Sequence, residues 1–266
     1  SYGFQQCISS DFTFEASGKF NVIVTPCFTE TSIRDNDVYS RKQPTTAWVQ
    51  DLSDENFTTC IQKTNSRGLK NRNSYFDRRL QASYLAFTDS PFQGSRAGNI
   101  RFEAAKGNSQ CKKVEFSPSF PQRPRVIDSA QYVANPKTPN LITSWWQELT
   151  PSGGTLCIGL EKKQNLKTDV IVSYIAWVEV PKNVMDGTTT IEGWKWRSES
   201  QRSRCAVVPF ESYWIYPPII QASVRENKPA SSDQSSPLTT WIEGVDNDKF
   251  KVCVQEFADR SSNRGQ

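Results

Sequence analysis

The sequence predicts an all-β fold built as three tandem antiparallel β-sandwich repeats of about six strands each. Three observations lead there. First, a threonine–tryptophan signature occurs three times, as Thr46-Ala47-Trp48, Thr143-Ser144-Trp145 and Thr239-Thr240-Trp241. In each copy the Trp stands 12 residues before a cysteine followed by a β-branched residue: Cys60-Ile61, Cys157-Ile158 and Cys253-Val254. A fixed internal spacing of this kind marks an array of one unit. Second, each late cysteine has an early companion, Cys7, Cys111 or Cys205, with a Phe five residues on: Phe12, Phe116 or Phe210. Third, the segments between are short, β-branched and aromatic, and are separated by turn residues. The 15 prolines scattered through them argue against long helices.

The elements can be justified in order. Some 14 to 16 residues after each early cysteine comes an aliphatic pair, Val22-Ile23, Val126-Ile127 or Ile219-Ile220, expected as a strand. The Trp strand follows. In the middle copy Trp145, Gln147 and Leu149 are expected on one face and Ser144, Trp146 and Glu148 on the other. A turn then leads into the Cys strand: Thr150-Pro151-Ser152-Gly153-Gly154, with turn-rich counterparts at Ser53-Asp54-Glu55-Asn56 and Asp246-Asn247-Asp248. Two copies continue into a shared block, Ser83-Tyr84-Leu85-Ala86-Phe87 and Ser173-Tyr174-Ile175-Ala176-Trp177; Val170 to Val180 is the clearest strand of the chain. A short aromatic strand precedes the next early cysteine, Ile100-Arg101-Phe102 and then Trp194-Lys195-Trp196. The repeats are placed at residues 1–93, 94–186 and 187–266. By this pattern the first repeat lacks its beginning and the third its end, so an end strand is expected from a neighbouring chain or from a longer parent.

Composition narrows the function classes. Hydrophobic residues make up 36% of 266, low for one large core but workable for small disulfide-tied sandwiches. The net charge of +4, from 32 basic and 28 acidic residues, sets up no strong field toward nucleic acid or an anionic membrane. The densest basic stretch, Arg67, Lys70, Arg72, Arg78 and Arg79, lies in a long loop of the first repeat, either solvated or in contact with a sulfated glycan or partner. No apolar run reaches the length that spans a bilayer, so no transmembrane segment is expected.

Repeat equivalence pairs the cysteines as Cys7–Cys60, Cys111–Cys157 and Cys205–Cys253, a connectivity that spacing alone does not fix. Each bridge would close a loop of about 50 residues, contributing roughly 4 kcal/mol on the chain-entropy model. Such bridges belong to an oxidising compartment, hence a secreted, extracellular protein. Cys27 has no counterpart and is either a buried free thiol or an intermolecular bridge. The sequon Asn56-Phe57-Thr58 marks Asn56 as an N-glycosylation acceptor.

The layout resembles the H-type lectin domain of snail agglutinins and discoidin C-termini. The resemblance rests on Val114-Glu115-Phe116-Ser117-Pro118-Ser119-Phe120, then Pro124 and Val126-Ile127, the turn Thr150-Pro151-Ser152-Gly153, Cys157, and Ser173-Tyr174-Ile175-Ala176-Trp177. It covers most of the second repeat and fainter versions of the other two. It implies six-stranded sandwiches that associate in threes and bind N-acetylgalactosamine-type sugars near their interfaces. Three tandem units would then pack as a pseudo-trimer or string out as beads. Where the family places an Arg before the turn, this chain has Trp48, Trp145 and Trp241; it also has no His.

The repeated tryptophans admit two readings. Exposed, Trp48, Trp145 and Trp241 are platforms on which the apolar face of a sugar can stack; buried, they are core or inter-repeat packing. The cluster Tyr213-Trp214-Ile215-Tyr216, beside Pro217-Pro218, is peculiar to the third repeat and is either packing or a contact loop for a partner or membrane surface. Catalysis is not expected: without His the usual general base and metal ligand are missing, and carboxylates such as Asp51, Asp54 and Glu55 fall in polar turns. Neither a cofactor nor a metal is called for. The expected function is an extracellular carbohydrate-binding or adhesion protein with glycans or glycoproteins as partners. The alternative is a structural subunit of a filament or matrix that uses the same sandwich without sugar binding.

Overall fold

The computed structural model describes residues 5–11, 20–28, 33, 45–63, 80–88, 91–105, 107, 109–133, 142–160, 165–181, 184–191, 203–225 and 237–256. These are all-β, with fourteen strands. Along repeat 1, named for its cysteine pair, run β1 (Gln5–Asp11), β2 (Phe20–Phe28), β3 (Thr45–Gln50), β4 (Asn56–Lys63) and β5 (Leu80–Thr88). Repeat 2 carries β6 (Arg96–Phe102), β7 (Ser109–Glu115), β8 (Arg125–Tyr132), β9 (Ile142–Thr150), β10 (Gly153–Leu160) and β11 (Val170–Trp177). Repeat 3 carries β12 (Ser203–Pro209), β13 (Leu238–Val245) and β14 (Lys249–Glu256). The leading strand expected at Trp194-Lys195-Trp196, the basic loop from Arg67 to Arg79, and Phe12 lie outside the described residues.

The signature spacing is explained by three like hairpins. In β3–β4, β9–β10 and β13–β14 the turn folds the chain so that Trp48 faces Cys60, Trp145 faces Cys157 and Trp241 faces Cys253. On the far side of each Cys strand the early cysteine sits directly opposite: Cys7 to Cys60, Cys111 to Cys157 and Cys205 to Cys253. All three pairs are disulfide-bonded, with Cα atoms 4.1, 4.0 and 4.0 Å apart. Each bridge therefore staples neighbouring strands of one sheet: Cys7–Cys60 in the six-stranded β1-β4-β3-β8-β11-β6, Cys111–Cys157 in the three-stranded β7-β10-β9 and Cys205–Cys253 in the five-stranded β12-β14-β13-β2-β5. A residue with positive φ lies nine positions before each late cysteine, at Asp51 (54°), Glu148 (50°) and Gly244 (78°). In repeats 2 and 3 the hairpin register shifts there. The simple alternation expected around Trp145 accordingly breaks at exposed Glu148.

Repeat 2 is a sandwich of six strands. The sheet β7-β10-β9 faces the run β8-β11-β6. Phe102, Val114, Phe116, Tyr132, Leu156, Val172 and Tyr174 fill the space between them. In repeat 1, β1-β4-β3 lies over β2-β5 across Val22, Val24, Val49 and Phe57, with no described strand on the outer edge of β5. Repeat 3 has β12-β14-β13, covered by the extended segment around Ile220 and Ala222.

The three repeats join in a closed cycle. The Trp strand of each lies parallel to the strand after the early cysteine of the next. Val49 of β3 pairs with Gln131 of β8, Trp146 of β9 with Arg225, and Ile242 of β13 with Cys27 of β2. These partners are 20 residues after Cys111, Cys205 and Cys7 respectively. The geometry also corrects a register: with Arg225 in place, Ile220-Gln221 answers to Val22-Ile23 and Val126-Ile127, not Ile219-Ile220. Ile219 points to solvent instead; two adjacent isoleucines hid a one-residue slip, which in a strand exchanges the faces.

A second set of contacts follows the same cycle. The signature Thr of each repeat donates its hydroxyl to a backbone carbonyl of the next: Thr46 to Ile142 at 3.1 Å, Thr143 to Leu238, and Thr239 back to Thr45 at 3.4 Å. All three threonines are buried.

Candidate functional site

Because side chains alternate along a strand, the residues at and after each signature Trp part company. Val49, Trp146 and Ile242 enter the cores beneath their own sheets. Trp48 turns the other way, into the core of repeat 2, edge-on to Tyr132 with ring centroids 6.3 Å apart. Trp241 packs on Phe28 and Leu80 of repeat 1. At Gly159, beside Trp145, an added Cβ would fall 2.4 Å from Pro237 of repeat 3. Trp48, Trp145 and Trp241 are all 0% exposed. The reading of these three as carbohydrate platforms is therefore corrected: no ring face is open, since each wedges between repeats.

Cys27 is a free, buried thiol in the core with Ile242 and Val252. Burial pushes its pKa up to about 11, so the neutral, weakly reactive thiol dominates, and of the two sequence readings the structure shows the buried free thiol. Asn56 opens β4, half-buried, its side-chain oxygen accepting from the Ser53 hydroxyl at 3.2 Å. Asp51, Asp54 and Glu55 are exposed, as expected of a polar turn. Cys205, Cys253 and Glu243 come close together, but the cysteines are bridged to each other and Glu243 is ion-paired with buried Lys251 at 3.2 Å and accepts from Trp241 Nε1 at 2.9 Å. That set holds no free ligand for a metal.

The surface that stands out is the loop after β12. Its backbone is pinned to the β13–β14 turn: Phe210 N donates to Asp248 O at 2.7 Å and Trp214 N to Asn247 O at 2.8 Å. Asn247 Nδ2 adds bonds to the Tyr213 hydroxyl at 3.0 Å and to Ile215 O at 3.2 Å. Phe210 meets Trp214 edge-on and stacks on Phe250. Repeat 2 builds the same loop, with Phe116 N on Ser152 O, Phe120 N on Pro151 O and Phe116 edge-on to Phe120.

What differs is the outward face. Repeat 2 presents Ser119, Pro121, Gln122 and Arg125; repeat 3 has Tyr213, Ile215, Tyr216 and Ile219 at the equivalent positions. These four are 74, 81, 80 and 77% exposed. A hydrogen-bonded loop thus holds four large apolar side chains in water, which normally marks an interaction surface. Trp214, grouped with this cluster from sequence, is the half-buried anchor rather than part of the face.

The fold and this surface define a disulfide-stapled, all-β chain with a hydrogen-bonded, exposed apolar loop. Comparison with protein-family models, curated proteins and solved structures finds no match. No helix among the described residues is long and apolar enough to cross a membrane. The three disulfides are compatible with an extracellular location.

Proposed function

We propose that the chain is a secreted, non-catalytic structural subunit whose copies join through the apolar loop of repeat 3. The repeats are read as H-type-lectin-like sandwiches at 1–93, 94–186 and 187–266, a scaffold whose fold does not by itself dictate sugar binding. The observation that carries this reading is the exchange of Ser119, Gln122 and Arg125 in repeat 2 for Tyr213, Tyr216 and Ile219 on an otherwise matching loop. The occupant proposed for it is the β5 edge of a second copy. In repeat 2 the equivalent β11 is flanked by both β8 and β6, whereas β5 has only β2 beside it among the described residues. Tyr84 of β5 is 47% exposed, while its counterpart Tyr174 is 8% exposed beneath β6. Loop and edge are different surfaces, so their contact is heterologous and repeats into a ring or filament.

Sedimentation velocity over a wide concentration range tests this. The wild type is expected to assemble with rising concentration, and a Tyr213→Ser, Ile215→Ser, Tyr216→Ser variant to remain monomeric. A wild type that stays monomeric throughout would rule the reading out. A second reading, glycan recognition and adhesion, is favoured by the open rings of Tyr213 and Tyr216, which suit stacking on a sugar. Selective glycan-array binding that disappears in the same variant would support it over assembly.

A further inference from the structure

Where the three repeats meet, a cavity of about 40 Å³ lies beside the threonine ring, lined by Thr46, Thr143 and Thr239 among others. Asp128 of β8 is the only ionisable residue among the described residues of its wall. The equivalent positions in repeats 1 and 3 are Val24 and Ala222, so one carboxylate stands where the cycle otherwise places small apolar groups. The Asp128 residue is 6% exposed, and neither carboxylate oxygen has a hydrogen-bond partner; nor does the hydroxyl of Ser129 beside it. Burial raises the Asp128 pKa to about 6, with Ser144, Trp146 and Ser223 nearby holding the rise back. None of those three closes a bond of good geometry.

The rest of the wall explains what the carboxylate can be given. Thr46 and Thr143 spend their hydroxyl protons on Ile142 and Leu238 carbonyls. Ser223 donates to Val126 O at 2.8 Å and Thr240 to Cys253 O at 3.0 Å. Hydroxyls whose protons are committed elsewhere have only lone pairs left to offer. Trp146 Nε1 and the Ser129 hydroxyl stand near the carboxylate as donors without partners, yet neither closes a bond to it; an unpartnered buried anion among the lone pairs of committed hydroxyls suits a hard cation. Net charge decides the valence. One carboxylate is neutralised by one positive charge, whereas a divalent ion would leave a buried excess, which is costly. A cavity holds a water when about 10–15 Å³ is accessible, so this one has room for an ion with one or two waters.

We propose that this axial cavity is a sodium-type monovalent cation site, with the Asp128 carboxylate as its charged ligand and the Ser129 hydroxyl among its neutral ones. The ion would tie β8 to the junctions of all three repeats. It is independent of what the loop of repeat 3 binds.

The test is thermal unfolding of the intact chain in sodium chloride against N-methyl-D-glucamine chloride at equal ionic strength, at pH 7.5. Sodium above its dissociation constant is expected to raise the wild-type Tm by about 2–4 °C. The rise should vanish in Asp128→Asn, which keeps the shape and removes the charge, and shrink in Ser129→Ala. Broadening of the sodium-23 resonance by wild type and not by Asp128→Asn gives a second readout that needs no unfolding. Equal Tm values in the two salts without line broadening would overturn the site. So would a sodium effect that persists in Asp128→Asn, which would mean adventitious surface binding. Stabilisation by micromolar calcium with none from sodium would overturn the monovalent assignment.

Discussion

At the residue scale, the Thr and Trp of the signature do different work. The Trp is a wedge between repeats and the Thr is a tie between them, both turned away from solvent. Asp128 is the residue that breaks the pattern, and its protonation carries a prediction. Its folded pKa lies near 6, raised from 3.8 by burial. The folded state therefore binds the proton more tightly than the unfolded chain. The stability this contributes is fully present below about pH 4 and is lost as pH climbs through 6, amounting to roughly 3 kcal/mol at about 1.4 kcal/mol per pKa unit. In sodium-free buffer, the wild type is expected to lose that much relative to Asp128→Asn between pH 4 and 7, read from urea unfolding of both. A difference that does not change with pH would mean the carboxylate titrates as if exposed. Nothing in the repeat spacing marks Asp128, because it is the odd member of a set of three and its isolation depends on residues from the other repeats.

At the level of the elements, the hairpins share one left-handed position, filled by Asp51, Glu148 and Gly244. Only the last is free of the Cβ clash that this region imposes, so Gly244→Ala is expected to cost about 1–2 kcal/mol in urea unfolding. Glu148→Gly should be close to neutral, since relief of that clash is offset by a more flexible unfolded chain. A Gly244→Ala chain as stable as wild type would show that the turn relaxes. The hairpins themselves were legible in the sequence: a Trp 12 residues before a Cys, with turn residues between, leaves the two facing each other. The cysteine pairs were legible for the same reason, through repetition. The face of each Trp was not, because alternation tells which residues share a side and not what covers it. The slip at Ile219-Ile220 was hidden by two neighbouring apolar residues that satisfy the strand pattern in either register. The loop from Tyr213 to Tyr216 stood out as aromatic, but only the backbone bond of Trp214 to Asn247 and the ring contact with Phe210 separate half-buried Trp214 from its exposed neighbours.

At the scale of the whole molecule, the cycle of repeats is what no single repeat reveals, because periodicity records a unit without saying how its copies meet. The last junction returns to the first repeat: Thr239 bonds Thr45, 194 residues away, and Ile242 pairs with Cys27. Cys27 reports on that junction. Maleimide labelling of the native chain is expected to proceed only as fast as global unfolding, its thiol being shielded and held near pKa 11; fast native labelling would show that the junction opens by itself. The same placement bears on biosynthesis. As the chain emerges from the ribosome, β2 waits until β13 has been made, and through that interval Cys27 is an accessible seventh thiol beside six that must pair correctly. Each early oxidation then carries the risk of trapping Cys27 in a mixed bridge that only thiol exchange can undo. The step that brings β13 onto β2 thus also withdraws the free thiol able to scramble the three pairs.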